Sequence, residues 1–400
     1  MEPVYMDHHA TTPVHPQVLA RMLPYFGECF GNPSSTHATG RRAAEAVEAA
    51  REAVAVAIGA SATEIVFTSG ATEANNLALR GLASRARAGG GHAHLVASVI
   101  EHKSILDTIA DLGRDGTEVT YLQVGPDGRI DPEDVRRALR PGTCLVSIQA
   151  ANSEIGVLQP LAEIAALCAA GGVPLHTDAA QAIGRIPVPV GESGAQLLSL
   201  SAHKIYGPKG IGALYVSRRV RLRAQMTGGG HERGRRSGTL NVPGIVGLGA
   251  ALELAVGDMP EESARLAGLR DRLWDGIRAR IPRVQLNGHP VLRLPHNLNV
   301  SFTHVGGEAL LMAVRDFALS SGSACTSGST QGSYVVRALG RGDEAAHSSL
   351  RFGLGRGNTA EQVDLLVERL GTAVERLRTI STAPEALPVG GGKGGAGGGV

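Results

Sequence analysis

The chain has 400 residues, 43% of them hydrophobic and 19% charged, with a formal net charge of +2. That length supports a large core, divided between one large and one small domain. The near balance of charge excludes a general pull toward nucleic acid or a membrane surface. Four cysteines, Cys29, Cys144, Cys168 and Cys325, show neither a C-x-x-C pair nor metal-ligand spacing, which excludes a disulfide framework.

No apolar run approaches the length of a membrane span and no signal peptide opens the chain, so a cytoplasmic protein is expected. From the N-terminus, Tyr5 to Pro13 reads as a turn-rich lead-in, and its adjacent His8 and His9 lack a third ligand for a metal. The loop Asn32 to His37 leads into a helix over residues 40–58, rich in Ala, Glu and Arg. Glu64 to Glu73 then runs from a strand through Gly70 into a second helix. This arrangement is an anion site, because unpaired N–H groups and the positive end of the helix dipole face the strand terminus. The dipole supplies only about 0.3–1 kcal/mol per anion, so the hydroxyls of Thr72 and Ser201 are expected to help hold a phosphate.

The strand His94 to Ile100 ends in Glu101-His102-Lys103-Ser104, and the strand Cys144 to Ala150 ends in the polar stretch Ala151 to Gly156. Cys144 on that strand and Cys168 on the helix Leu161 to Ala170 read as core thiols. Next, the strand Val173 to Asp178 delivers a carboxylate at its C-terminal end, the edge where open α/β sheets bind ligands. A fifth strand from Leu198 leads into Ser201-Ala-His-Lys204, a Gly/Pro-rich loop, and a further strand, Gly212 to Val216. Polar groups thus gather at the C-terminal ends of five strands with helices between most of them, which predicts a largely parallel sheet. The arginines at 218, 219, 221 and 223 read as a solvated face or a partner surface.

Free lysine has a pKa of about 10.4, so roughly one in two thousand is a neutral nucleophile at pH 7. Lys204 therefore needs desolvation, a neighbouring cation or a cofactor aldehyde beside it to act as one. Asp178 and Lys204, each closing a strand, form the pair that a pyridoxal phosphate (PLP) enzyme needs. The lysine anchors the cofactor and the carboxylate keeps its ring nitrogen protonated. Farther on, Cys325 lies in Ser320 to Ser333, a small, polar and glycine-rich segment that would leave a thiol unburied. Thr359 to Gln362 is a capping box opening a helix with Val363, Leu366, Leu370, Val374 and Leu377 at helical spacing. The tail from Gly390 is almost all glycine and is expected to be disordered.

These motifs together, Asp7 to Pro13, Thr68 to Glu73, Glu101 to Lys103, Asp178 to Gln181, Ser201 to Lys209, Arg236 to Thr239 and Ser320 to Cys325, resemble the series of the cysteine desulfurases. These are fold-type I PLP enzymes of the class V aminotransferase group, and the resemblance is nearest to the long-loop type that serves iron–sulfur cluster assembly and tRNA thiolation. It covers residues 4 to about 380.

The resemblance implies an α/β fold with a large PLP-binding domain over 15–255, built on a mostly parallel sheet flanked by helices. It implies a smaller α+β domain from 1–14 and 256–382, carrying the cysteine loop, and a flexible tail over 383–400. Lys204 would anchor the cofactor, Asp178 meet its ring nitrogen, Gln181 its ring oxygen, and His102 stack on the ring and assist proton transfer. Ala71, Thr72, Ser201 and His203 would hold the phosphate, with Thr239 reaching across from the partner in a homodimer. Arg351 would grip the carboxylate of L-cysteine. Cys325, as thiolate, would take the substrate sulfur as a persulfide, releasing alanine, and hand it to an iron–sulfur scaffold or another acceptor protein. No metal, membrane or direct nucleic-acid contact is implied.

One position departs from the pattern: Ser153 stands where the family has a second asparagine that touches cofactor and substrate, which predicts slower turnover or altered substrate choice. Two other readings exist. A different PLP enzyme on the same fold, such as a selenocysteine lyase or an aminotransferase, would remain active without Cys325. A catalytically poor assembly platform would bind cofactor without turnover.

Overall fold

The computed structural model describes residues 2–322 and 332–381. Its strands, in chain order, are β1 Val4–Tyr5, β2 Ile65–Thr68, β3 His94–Ser98, β4 Glu118–Leu122, β5 Thr143–Ser147, β6 Leu175–Asp178, β7 Leu197–Ser201, β8 Gly212–Val216, β9 Val284–Leu286, β10 Asn297–Phe302, β11 Phe317–Ala318 and β12 Ser349–Gly353.

Seven of them form the main sheet in the order β2-β8-β7-β6-β5-β3-β4. Every neighbouring pair is parallel except the two made by β8, which runs antiparallel to both β7 and β2. The mostly parallel sheet expected from the sequence is therefore present. β8 reverses because only the loop after Lys204 separates it from β7, a connection too short for a parallel crossover. Strands β2, β3, β7 and β8 are buried at every position, the mark of a sheet covered on both faces.

The helix Ala38–Ile58 buries Ala43, Val47, Val54 and Ile58 against one face, and its positive-φ cap Gly59 ends it. The helix Ala71–Ala88 buries Ala78, Leu79 and Leu82 in another core with Leu95 and Leu214. A second, smaller sheet, β12-β10-β9, is fully antiparallel. It shares a core with Met6, Leu310 and the apolar stripe Val363, Leu366, Leu370 and Val374 of the helix Ala360–Ser381, as the spacing predicted.

The helix Val242–Arg280 joins the two cores. Its first half, Val242 to Ala255, packs with the main sheet, and Leu266, Leu273 and Ile277 pack with the smaller one. By length and composition it would suffice to cross a membrane, which the sequence reading did not anticipate; most of its apolar stretch is buried inside the protein.

A buried ion pair fixes the loop that follows β8. Arg51 donates Nη1 to Glu232 Oε2 and Nη2 to Oε1, both at 2.8 Å, and Glu232 Oε2 also accepts the Phe67 N–H. Removing either partner would strand a charge in the core at a cost of about 3–5 kcal/mol.

Candidate active site

The C-terminal edge of the main sheet opens into a cleft of about 400 Å³. Its lining includes Ala71, Thr72, His102, Ser153, Asp178, Gln181, Ser201, His203 and Lys204. Residues separated by more than a hundred positions meet there because parallel strands all end at one edge.

Asp178 closes β6. Its Oδ2 accepts from Asn75 Nδ2 at 2.8 Å and its Oδ1 from the Ala180 N–H at 2.9 Å, so the carboxylate has one orientation. Asn75 Nδ2 also donates to Ser104 Oγ at 2.9 Å, and Ser104 Oγ lies 2.8 Å from His102 Nδ1. That ring nitrogen accepts the Ser104 backbone N–H as well, capping the helix Lys103–Arg114. His102 Nδ1 is thus an acceptor, and neutral His102 carries its proton on Nε2. A continuous polar line therefore runs from Asp178 through Asn75 and Ser104 to His102.

Lys204 ends the short 3-10 turn after β7. Its Nζ donates to the carbonyls of His9 and Ala10, the latter at 2.9 Å. The same N-terminal segment grips the turn on both sides. Thr12 donates N–H and hydroxyl to the His203 carbonyl, and Thr12 Oγ1 accepts the Tyr206 N–H at 2.8 Å. Tyr206 holds a left-handed backbone, φ 64°, that a bulky side chain rarely adopts. Arg185 and Arg356 stack on its ring and keep it there. His203 is pushed down to about 4 by burial and then by the charges of Lys204 and Lys209, so its ring is neutral at pH 7.

Beside Ser201, the helix Ala71–Ala88 makes its first backbone bond from the Ala74 N–H to Gly70, so the amides of Ala71 and Thr72 lead the helix at the cleft lining. Gly70 sits at φ 154°, and a Cβ on Gly212 would fall 2.7 Å from the Gly70 Cα, so both glycines let β8 and the helix entry close together. Glu73 would repel an anion here, but Arg236 at 2.7 Å and the Ser69 N–H hold its carboxyl charge in check. Burial opposes that ionisation, yet those bonds win and its pKa lies below the usual value.

These residues fit PLP. One end of the cleft offers helix amides and the hydroxyls of Thr72 and Ser201 for a phosphate, Lys204 brings an amine, and Asp178 presents an oriented carboxylate. No protein cation is paired with that carboxylate among the described residues.

Two of the expected site residues that the structure describes lie outside the cleft lining. Arg351, on β12, is almost fully buried; Nη2 pairs with Asp7 Oδ1 at 2.8 Å, Nη1 donates to the Ser153 carbonyl at 3.1 Å, and Nε has no partner among the described residues. Thr239 is exposed on the loop that Arg236 pins to Glu73. Cys325 and the tail over 383–400 lie outside the described residues. Cys168 is buried as expected, whereas Cys144 is half-buried, its thiol pushed up to about 11 by burial. His8 and His9 are buried in hydrogen bonds to Gly353 and Gln181, and among the described residues no group of metal-binding side chains forms.

The sequence reading missed Asn75 and the wall built by His9, Ala10 and Thr11. Asn75 did carry a signal, since it falls on the same helical face as Ala78, Leu79 and Leu82, where a polar side chain needs a buried partner.

The family described as Aminotransferase class-V matches residues 4–366. A relative named Cysteine desulfurase IscS, from Anaeromyxobacter dehalogenans strain 2CP-C, is 55% identical over 388 residues, which cover 96% of this chain and 96% of the relative. Among solved structures, one titled a NifS-like protein superposes with a TM-score of 0.87 at 34% identity, covering 94% of this chain and 100% of its own. Another, titled SspA in complex with cysteine, has a TM-score of 0.78 at 38% identity over 88% of this chain and 98% of its own.

Proposed function

We propose that this chain, which belongs to the class-V aminotransferase family and within it to the PLP-dependent cysteine desulfurases, passes the sulfur of L-cysteine to Cys325 as a persulfide and then to acceptor proteins. The observation that carries the reading is the meeting of Lys204 and Asp178 in one cleft from the ends of adjacent strands.

Bound PLP supplies an electron sink for bond breaking at the substrate's α and β carbons. Lys204 Nζ would anchor it, and as a free amine would take the substrate's α-proton. Asp178, locked by Asn75 and Ala180, would keep a proton on the ring nitrogen. Gln181 would hold the ring oxygen, and His102, with its proton on Nε2, would stack on the ring and serve proton transfer. Ala71, Thr72, Ser201 and neutral His203 hold the phosphate, Ser153 borders the reacting centre, and exposed Thr239 serves the partner's site in a homodimer. Arg351 receives the substrate carboxylate, a role suited to its guanidinium fork.

The Cys325 thiolate then bonds to the substrate sulfur as the Cβ–S bond breaks and the carbon gains a proton. Thiol and L-cysteine become persulfide and L-alanine, so no oxidant is needed. A large unit over 15–255 carries the cofactor, and a smaller one from 1–14 and 256–382 carries Cys325. The acceptors are an iron–sulfur scaffold protein and the carriers of tRNA thiolation, in the cytoplasm.

The test is alanine release from L-cysteine by the PLP-loaded protein with a thiol reductant, beside Cys325→Ala. Alanine from the wild type and almost none from the variant is expected. Alanine from both would remove Cys325 from the chemistry and favour a lyase; none from either would favour an assembly platform.

A further inference from the structure

A chain of hydrogen bonds beneath the cleft has a direction that can be read from its first member. Arg293 is buried and donates Nη2 to the Asn297 side-chain oxygen at 3.1 Å. A guanidinium has only donors, so that atom of Asn297 is the oxygen and its Nδ2 must donate. Nδ2 donates to the Glu154 carbonyl at 3.0 Å and to His9 Nε2 at 3.1 Å. His9 Nε2 is therefore an acceptor. In a neutral imidazole the proton then sits on Nδ1, and Nδ1 lies 2.9 Å from Gln181 Oε1. The Gln181 oxygen is consumed there, and its Nε2 donates one hydrogen to the His9 carbonyl at 3.1 Å. The second hydrogen of that amide remains for the cleft, which Gln181 lines.

We propose that His9 is a positioning residue for Gln181: it carries donor polarity from Arg293 and Asn297 to the Gln181 amide, so that an N–H and not an oxygen meets the cofactor. An amide turned the other way would set an oxygen against the electron-rich ring oxygen. His9 is buried and stacked on His296 at 4.2 Å, which leaves its ring no room to turn. Burial, followed by the charge of Arg351, also holds His9 well below the ordinary histidine pKa, so the neutral tautomer persists at working pH. This deepens the desulfurase reading and rests on Gln181 facing the ring oxygen.

Two readouts test it, neither of them turnover. In wild-type holoenzyme labelled with 15N-histidine, nitrogen chemical shifts are expected to show His9 as the neutral Nδ1–H tautomer; the Nε2–H tautomer overturns the proposal without any variant. The second readout is the pH midpoint of the cofactor's visible absorption. A donor to the ring oxygen favours the deprotonated state, so losing it raises the midpoint. Gln181→Leu and His9→Ala are each expected to raise it by about half a unit or more. The double variant should add nothing further, because one interaction is removed twice. His9→Asn, which keeps a side-chain donor near the Nδ1 position, should stay near wild type. Lys204 meets His9 through its backbone carbonyl, which all these variants retain. If Gln181→Leu shifts the midpoint and His9→Ala does not, the positioning role fails while the Gln181 assignment stands. If Gln181→Leu shifts nothing, the assignment fails and the proposal falls with it.

Discussion

Arg351 on the last described strand holds its Nη2 2.8 Å from Oδ1 of Asp7, and the other Asp7 oxygen accepts the Ser320 hydroxyl at 2.8 Å. The N-terminal segment, β12 and the start of the segment that leads to Cys325 are thereby tied at one carboxylate. Asp7→Asn keeps the shape and removes the charge, leaving a guanidinium buried without its counter-ion. A loss of about 3 kcal/mol is expected, read by urea denaturation of the holoenzyme. An unchanged midpoint and slope would show that the pair carries no stability.

Asn75 touches both Asp178 and Ser104, so Asn75→Leu should free the carboxylate to turn and loosen His102 at once. Hydrogen bonds to charged groups contribute about 1.5–3 kcal/mol. PLP affinity, measured by spectroscopic titration of the apoprotein, is expected to weaken by roughly tenfold or more. Retention of wild-type affinity would mean that Ala180 alone suffices to orient Asp178.

Glu101 is fully buried, and its pKa is raised well above the usual carboxylate range by burial, with the charge of Asp178 adding to the effect. The Gln149 N–H satisfies Oε1, while Oε2 has no partner among the described residues. In the unfolded chain Glu101 ionises near its ordinary pKa, whereas the folded state keeps the proton. Above that ordinary value the folded state binds more protons than the unfolded one, so this group's contribution to stability declines as pH rises. Glu101→Gln has no such titration. Its stability relative to wild type should therefore grow from pH 5 to pH 8 in paired denaturation curves; a constant difference would contradict the shift.

Ser153 lines the cleft while its carbonyl accepts from Arg351. A serine side chain is shorter than the asparagine of the family pattern, so Ser153→Asn is expected to raise turnover of L-cysteine several-fold and to alter the cofactor's visible spectrum. Unchanged kinetics and spectrum would show that the serine costs nothing.

Much of this site was legible because its signals are local. Thr68 to Glu73 spells strand, glycine and helix start, and Asp178 and Lys204 each close an apolar run, so the elements and their polar ends follow from short-range chemistry. The parallel sheet followed too, since strands alternating with helices leave few other topologies.

Asn75, His9 and Arg351 were different. Asn75 looked like one more helix residue, the histidine pair like part of a turn, and Arg351 gave no sign of its ion pair with Asp7. Asn75 acquires its role from Asp178, 103 positions away, His9 from Gln181, 172 away, and Arg351 from Asp7, 344 away. The sequence by itself determined which residues stand at the sheet edge and what chemistry they bring. Only the tertiary structure decided which way each polar group faces, because a buried donor or acceptor takes its orientation from whatever partner packing places beside it.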